Sequence, residues 1–332
     1  MEKEKAELIL VRKLSEEAIG EPSLEVNELT GDASSRRYYR VRTNKKTYVG
    51  CLGDRFLENN KSDFLNVQKM LKSNMIKVPE IYSTASNEGF YLEEDLGDLT
   101  LVNVLGRESE EDKILSYYEE IILILNKLQK IPTKGTIVGD RSFDLKKLSQ
   151  ESDLAVENFL EKYLGAPLKK EEKRLLETEL FGMNKILGDG SYKVFCHRDL
   201  HSRNIMEKDN SLYLIDFQDA RMGLPFYDLV SLLEDCYYPL KKDQREKLIS
   251  FFIKTNEHHD FYKDQFKYWY NLSAIQRVFK ALGSFTYINY LRNDDRYLKY
   301  VGVGVGRLLE LLEEVEGFEN FKKVLKRSYH EN

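Results

Sequence analysis

Cysteine is scarce in this sequence, which has 332 residues and only Cys51, Cys196 and Cys236. Three scattered thiols exclude a disulfide framework and a cysteine zinc site, so we expect reduced thiols. Positive charge is not in excess either, because the formal net charge is −5, which argues against a nucleic-acid binder with a broad basic face. No apolar run approaches the ~20 residues that cross a bilayer, and the charged N-terminus is unlike a signal peptide. We therefore expect a cytoplasmic protein without nucleic-acid, membrane or obligate protein partners.

The length and the hydrophobic pattern predict two lobes. Short β-like runs rich in β-branched and aromatic residues, "SLEVNEL", "RYYRVRT", "KTYVGCL", "VPEIY" and "GFYLEE", dominate the first part of the chain. Helical patterns dominate from Asp98 onward, among them those over 145–163 and 308–326, and are interrupted at 193–220. The predicted boundary is "LEEDLGD", which gives lobes at 1–95 and 96–332 and an α+β fold class.

One loop carries an unusual set of polar side chains. Asp199 follows His197 and Arg198, and Asn204 comes five residues after Asp199. Asp216 ends the apolar run "LYLID", and a hairpin over "EKDNS" would return it to Asn204. Phosphoryl transfer from ATP to a hydroxyl needs a carboxylate that accepts the proton and oxygen ligands for Mg²⁺. The pattern predicts Asp199 as that carboxylate and Asn204 and Asp216 as metal ligands, although such residues singly also cap turns.

Several segments resemble the aminoglycoside phosphotransferase superfamily, whose fold is like that of protein kinases. The resemblance rests on "CHRDLHSRNIM", "YDLVSLLEDCY" and "LIDFQDA", which stands in place of the protein-kinase DFG motif. "GDASSRRYYRV", "YLEEDLGDLTL" and "QRVFKALGSF" extend it over about 29–285. It fits best a bacterial subgroup that includes the anomeric kinases of N-acetylmuramate and N-acetylglucosamine. The resemblance implies a bilobal fold with a small antiparallel β N-lobe and a larger helical C-lobe, and it implies ATP and Mg²⁺ as cofactors.

Two segments of the predicted N-lobe are candidates for binding the nucleotide. A turn of small residues could bring backbone N–H groups close to phosphate oxygens, although an ordinary hairpin turn would look the same. The predicted hinge "YLEED" could hydrogen-bond the adenine edge through its backbone, and a polar linker would again look the same. The nucleotide-binding candidates are Gly31, Ala33, Ser34, Ser35, Arg37, Arg40, Glu93, Glu94 and Asp95.

The third predicted strand departs from the protein-kinase pattern. Protein kinases carry there a lysine that binds phosphates and pairs with a glutamate on the next helix. Here "TYVGCLG" places Gly50 or Cys51 at the lysine position, and Asn66 stands near the glutamate position. We therefore expect Arg37 or Arg40 to supply the phosphate contact.

Other polar residues are candidates for supporting the loop or binding the acceptor. By resemblance, Asp228 braces the loop backbone, and His197 is given the same supporting role. A structural ion pair of Arg277 and simple packing of His201 are equally open interpretations. The acceptor-pocket candidates are His201, Asp219, Asp235, Gln276 and Arg277.

The favoured acceptor, implied by the resemblance, is the anomeric hydroxyl of an N-acetylated amino sugar, with a sugar 1-phosphate for cell-wall recycling as the product. An aminoglycoside, a choline-like compound or another alcohol is the nearest alternative. The motif-region residues Arg198, Arg203, Arg221 and Arg277 fit a neutral or anionic acceptor better than a polycation. A regulatory pseudokinase is the alternative of another class; the missing lysine favours it and the intact loop argues against it.

Overall fold

The computed structural model describes residues 2–29, 36–53, 62–190, 192–258 and 265–330. The chain divides into two compact units, one comprising Met1–Leu99 with Met206–Gln218 and the other Thr100–Ile205 with Asp219–Asn332. The first unit contains a β-sheet and the second is mainly helical. This separation of sheet and helices confirms the predicted α+β class.

A five-stranded antiparallel sheet forms the centre of the first unit. Its strands are β1 (Glu25–Leu29), β2 (Arg37–Arg42), β3 (Thr47–Leu52), β4 (Ile81–Ala85) and β5 (Phe90–Glu94). They lie in the order β1-β2-β3-β5-β4, and β2 and β3 form an antiparallel hairpin joined across "NKK". β4 begins later than predicted, because Pro79 lacks the N–H that a strand ladder requires. As in any β-strand, successive side chains of each strand face opposite sides of the sheet.

Two helices accompany this sheet, α1 (Glu2–Ile19) and α2 (Asp63–Ser73). Val11 of α1 lies in one buried cluster with Tyr39, Phe90 and other side chains from one face of the sheet. Removal of this apolar surface from water stabilises the unit at roughly 25 cal/mol per Å². Ser62 caps the N-terminus of α2, where its hydroxyl accepts a hydrogen bond from Leu65 N.

A second hairpin belongs to the first unit, although the predicted boundary put it with the helical lobe. It comprises β7 (Ile205–Lys208) and β8 (Ser211–Leu214), which follow the short β6 (Val194–Cys196). Its turn residues Asp209 and Asn210 have positive φ angles of 50° and 56°, as a tight two-residue hairpin turn requires. The backbone bond from Leu214 N to Lys77 O, 2.9 Å long, anchors the hairpin.

Helices of the second unit surround one long, buried helix. The described helices of this unit are α3 (Leu101–Leu105), α4 (Glu111–Leu128), α5 (Leu145–Ala155), α6 (Lys170–Gly188), α7 (Tyr227–Leu233), α8 (Lys242–Thr255), α9 (Phe266–Arg292), α10 (Val301–Glu314) and α11 (Glu319–His330), and α9 is the buried one. The predicted helix 145–163 changes to π geometry over Val156–Tyr163. The central helix α9 passes α5 so closely that a Cβ on Gly283 would lie 2.5 Å from Ala155 Cα.

The prediction of one helix over 308–326 is wrong. Gly317, with φ of 90°, separates α10 from α11, because glycine adopts this left-handed conformation at no steric cost. The "GVGVG" segment lies inside α10, where Gly304 allows Leu282 to approach. Within the described ranges, none of the helices combines the length and apolar character that a bilayer crossing requires.

Candidate active site

The loop after β6 is shaped by a buried carboxylate beneath it. β6 pairs with β9 (Arg221–Gly223), and the chain then enters α7, which carries Asp228. Asp228 accepts hydrogen bonds from the backbone N–H groups of His197 at 2.6 Å and Arg198 at 3.0 Å. Arg198 has a φ of 87°, in the left-handed region, which is costly for a side-chain-bearing residue unless its surroundings fix it. Asp228 thus holds the backbone that presents Asp199.

Asp199 lies among three cationic side chains. Oδ1 of Asp199 is 2.6 Å from Lys280 Nζ and 3.3 Å from Arg277 Nη2, and Oδ2 is 3.7 Å from Arg198 Nε. Burial alone would raise the pKa of Asp199, but these cations outweigh it and lower the pKa well below its usual range. The carboxylate is therefore ionised near neutral pH, as a proton acceptor must be.

Asn204 and His201 lie on the same loop. Asn204 Nδ2 donates to the carbonyl oxygen of Asp199 at 3.0 Å, which fixes the orientation of the side-chain amide. His201 packs edge-on against Tyr237, with ring centroids 5.1 Å apart. Burial lowers the pKa of His201 to about 3, and the nearby Arg277 adds to this effect. His201 is therefore neutral at physiological pH.

Of the other predicted residues of the second unit, Asp235 and Asp219 contact the loop directly, and Gln276 contacts Glu151 of α5. Asp235 accepts hydrogen bonds from Ser202 N at 2.9 Å and Ser202 Oγ at 2.5 Å. Asp219 forms an ion pair with Arg198 at 2.9 Å. Gln276 Nε2 donates to the buried Glu151 at 3.1 Å. Asp235 thus holds the loop at Ser202, and its predicted place in the acceptor pocket stays a prediction.

Asp216 lies in the first unit, at the end of the β7–β8 hairpin. Its φ of 61° is another left-handed conformation of a non-glycine residue. Gln218 Nε2 donates to Asp216 Oδ1 at 2.6 Å. Positive φ angles at non-glycine residues concentrate at functional sites. Arg198, in the loop that carries Asp199, and Asp216 both have such an angle.

The arginines expected to contact phosphate are engaged with carboxylates. Arg37 Nη2 lies 2.6 Å from Glu7 Oε1. Arg40 forms ion pairs with Asp95 at 2.7 Å and Asp98 at 2.9 Å. The small-residue turn, with Gly31, Ala33, Ser34 and Ser35, lies outside the described residues.

A third arginine lies beside the position of the missing lysine. Tyr38, Cys51 and Tyr91 pair across neighbouring strands and share one face of the sheet. Arg36 comes two residues before Tyr38, so the alternation of side chains along the strand puts it on the same face. Its guanidinium carbon lies 5.3 Å from the centroid of the Phe64 ring of α2. Burial raises the pKa of Glu93, on β5, to about 8, and Arg36 partly opposes this. The cation on this face of the sheet is therefore supplied by Arg36, next to β2. On β3 itself, Gly50 faces the opposite side, where a Cβ would lie 2.9 Å from Val11.

The backbone of the predicted hinge is partly engaged within the first unit. Glu94 N donates to Glu80 O at 2.8 Å. Lys208 Nζ donates to the carbonyl oxygen of Asp95 at 2.9 Å and pairs with the Glu94 carboxylate at 2.6 Å. These hydrogen bonds fix the course of the chain at the end of β5.

The sequence candidates do not include Lys280 or Glu151, and they place the phosphate contact on Arg37 or Arg40 instead of Arg36. The signal for Lys280 was its position three residues after Arg277, which puts both on one side of a helix. Glu151 carried no signal, because its partners Arg198 and Gln276 are remote in sequence. Arg36 could have been found by strand alternation, since it shares parity with Tyr38 and Arg40.

The antiparallel sheet, the helical unit and the Asp199 loop together define a phosphotransferase with a protein-kinase-like fold. The chain belongs to the phosphotransferase enzyme family, whose model matches residues 25–262. It is an ATP-dependent phosphotransferase. The family match confirms the resemblance found in the sequence.

Relatives and solved structures agree with this assignment. An N-acetylmuramate/N-acetylglucosamine kinase of Neisseria meningitidis is 28% identical over 272 residues, which are 80% of this chain and 79% of that protein. A protein of the same name from Pseudomonas putida is 25% identical, with coverage of 88% and 87%. The choline kinase LicA of Streptococcus pneumoniae has a TM-score of 0.61 at 20% identity, with coverage of 91% and 99%. The ADP-bound aminoglycoside phosphotransferase APH(2'')-Ib has a TM-score of 0.60 at 16% identity, with coverage of 89% and 95%. The two structures show the fold.

Proposed function

We propose that this protein transfers the γ-phosphoryl group of ATP to the anomeric hydroxyl of an N-acetylated amino sugar, N-acetylmuramate or N-acetylglucosamine. Relatives 22–28% identical to the chain carry the name of that kinase. The observation that carries the proposal is the ionised Asp199 on a loop braced by Asp228. A sugar 1-phosphate product, a role in cell-wall recycling and a cytoplasmic location follow as predictions.

Asp199 performs the proton transfer in this proposal. Its carboxylate accepts a hydrogen bond from the acceptor hydroxyl, orients the oxygen towards the γ-phosphorus and takes the proton as the new P–O bond forms. Lys280 and Arg277 hold Oδ1 of Asp199 and fix the carboxylate plane. A fixed carboxylate reduces the entropy that the reacting groups lose when they align.

Magnesium is the expected cofactor, and the residues present suit it. Asn204 and Asp216 offer an amide oxygen and a carboxylate, the hard ligands that Mg²⁺ prefers. When bound, the ion would neutralise charge on the phosphates. We propose these two residues as its protein ligands.

Arg36 is our proposed substitute for the strand lysine. Arg36 lies on the sheet face of Cys51, where the lysine of protein kinases would stand. A guanidinium presents a planar fork of donors that suits phosphate oxygens. Arg36 would then contact the nucleotide phosphates.

The surroundings of Asp199 disfavour both alternatives, a cationic acceptor and a pseudokinase. Choline-like compounds and aminoglycosides are positively charged, and Lys280 and Arg277 would repel such acceptors near Asp199. A pseudokinase would not need the ionised Asp199 or the buried Asp228 that supports it. N-acetylglucosamine is neutral and N-acetylmuramate is an anion, so neither sugar is repelled by these cations.

A coupled ADP-release assay over N-acetylmuramate, N-acetylglucosamine, choline and an aminoglycoside tests the proposal, with phosphorus NMR of each product. We expect turnover on the amino sugars with phosphate on the anomeric oxygen. Asp199→Asn should lower kcat by a factor of about 10² to 10⁴. Asp153→Asn, at an exposed position of α5, is the matched control and should keep full activity. Phosphate on another hydroxyl, or turnover on choline alone, would refute the assignment.

A further inference from the structure

A cavity of about 430 Å³ opens in the second unit, next to the catalytic loop. Its volume is within the range of small-molecule binding sites. Among the described residues, its walls contribute three cations, one carboxylate and two tyrosines: Arg203, Arg296, Lys299, Asp295, Tyr297 and Tyr300. The excess of positive charge favours an anionic ligand over a neutral or cationic one.

Arg203 connects this cavity to the catalytic loop. It immediately precedes Asn204 in sequence. Its guanidinium carbon lies 5.0 Å from the ring centroid of Tyr237 and 5.2 Å from that of Tyr297, a side chain that is 3% exposed. Stacking on two rings restricts the guanidinium plane. A restricted guanidinium is suited to bind a carboxylate through two parallel hydrogen bonds.

Aromatic contacts lead from the cavity back towards Asp199. Tyr300 lies edge-on to Tyr237 with ring centroids 4.8 Å apart, and Tyr237 contacts the His201 ring. His201 is two residues after Asp199. Ring contacts through Tyr300, Tyr237 and His201 therefore link the cavity to the loop that carries Asp199.

The other two cations stand at the open side of the cavity. Lys299 Nζ lies 5.1 Å from the centroid of the Tyr300 ring. Arg296 is paired with Asp294 at 2.7 Å, with 51% of its side chain exposed. A ligand carboxylate could form ion pairs with Lys299 and Arg296 at the open side of the cavity and with Arg203 inside it.

We infer that this cavity binds the carboxylate of the acceptor and thereby distinguishes the two candidate sugars, an inference that rests on the proposed function. N-acetylmuramate carries a carboxylate on its lactyl ether, and N-acetylglucosamine has a hydroxyl at that position. Charge-assisted hydrogen bonds between carboxylate and guanidinium or ammonium groups are about twice as strong as neutral ones. The cavity gives the enzyme a preference for the acidic sugar.

Kinetics with Lys299→Gln and Arg296→Gln test the inference and leave Arg203, next to Asn204, unchanged. Each substitution should lower kcat/KM for N-acetylmuramate about tenfold relative to that for N-acetylglucosamine. Lys242→Gln, at an exposed position at the start of α8, is the control and should keep the wild-type ratio. An unchanged ratio in both cavity variants, or an equal change in the control, would overturn the inference.

A binding measurement separates failure of the inference from failure of the proposed function. Calorimetry would compare N-acetylmuramate with its uncharged methyl ester on the wild type and on Lys299→Gln. We expect the acid to bind about tenfold more tightly than the ester, and the difference to shrink in the variant. If neither sugar is phosphorylated, the proposed function fails, and the same comparison still decides whether the cavity recognises the carboxylate. Equal binding of acid and ester would refute it.

Discussion

Lys280 Nζ lies 2.6 Å from Oδ1 of Asp199 and joins the middle of α9 to the catalytic loop. Both side chains are largely buried, with 10% and 20% of their surfaces exposed. Burial lowers the pKa of Lys280 to about 8, although Asp199 opposes this. The ion pair is therefore intact at neutral pH and weakens as pH rises through about 8, where Lys280 loses its proton.

Replacement of Lys280 by Met should change the acid side of the pH–rate profile. Without this ammonium group the pKa of Asp199 rises, because a cation that favours the ionised form is lost. The acid limb of kcat/KM should then move to higher pH, and activity at pH 5 relative to pH 7 should fall. Lys280→Arg keeps the charge and should keep the wild-type limb. Superimposable profiles for the Met and Arg variants would contradict this role of Lys280.

Arg36→Met should weaken use of the nucleotide. If Arg36 contacts the phosphates, its loss should raise KM for ATP about tenfold and leave KM for the acceptor unchanged. Arg42→Gln, at an exposed position at the end of β2, provides the control. An unchanged KM for ATP and turnover in Arg36→Met, together with an effect in Arg37→Met, would return the phosphate contact to Arg37.

His201→Gln should remove part of the acid sensitivity of folding. Because the folded-state pKa is lowered to about 3, the unfolded chain binds a proton that the folded chain does not between about pH 6.5 and 3. The wild type thus loses stability relative to the variant as pH falls through this window, at up to about 1.4 kcal/mol per pH unit. Urea unfolding at several pH values measures the difference. A difference that does not vary with pH would show that His201 does not titrate in this way.

Gly283→Ala and Gly182→Ala form a matched pair. A Cβ at Gly283 would lie 2.5 Å from Ala155 Cα, whereas one at Gly182 in α6 meets nothing within 4 Å. The first substitution should destabilise the protein by about 1–3 kcal/mol through the clash of α9 with α5. The second should stabilise it by about 0.5–1 kcal/mol through helix propensity. Thermal unfolding of both variants checks the prediction; a stable Gly283→Ala protein would mean that the two helices separate easily.

Local pattern and short-range motifs were enough to predict the class of the fold and the family. Alternating aromatic and β-branched residues marked β2 and β3, and the spacing of Asp199 and Asn204 marked the loop. Lys280, which pairs with Asp199, could not be predicted in the same way. Lys280 is 81 residues away from Asp199 in sequence, and α9 is buried on nearly all sides, so its apolar pattern does not show which face meets the loop.

Boundaries failed where a single residue overrides the pattern. Pro79 delays β4, and Gly317 divides the last predicted helix. The hairpin of β7 and β8 joins the first unit through backbone bonds such as Leu214 N to Lys77 O, which no side-chain pattern encodes. Arg36 and Arg37 are adjacent in sequence, and only the alternation of side chains along the strand shows that they face opposite sides of the sheet.

The three cysteines give this protein built-in reporters of local opening. Burial raises the pKa of Cys51 and of Cys236 to about 12 and that of Cys196 well above its usual range, so none should react with a thiol reagent in the closed molecule. Cys51 belongs to the first unit and the other two to the second. The order in which labels appear during gradual denaturation would show which unit opens first.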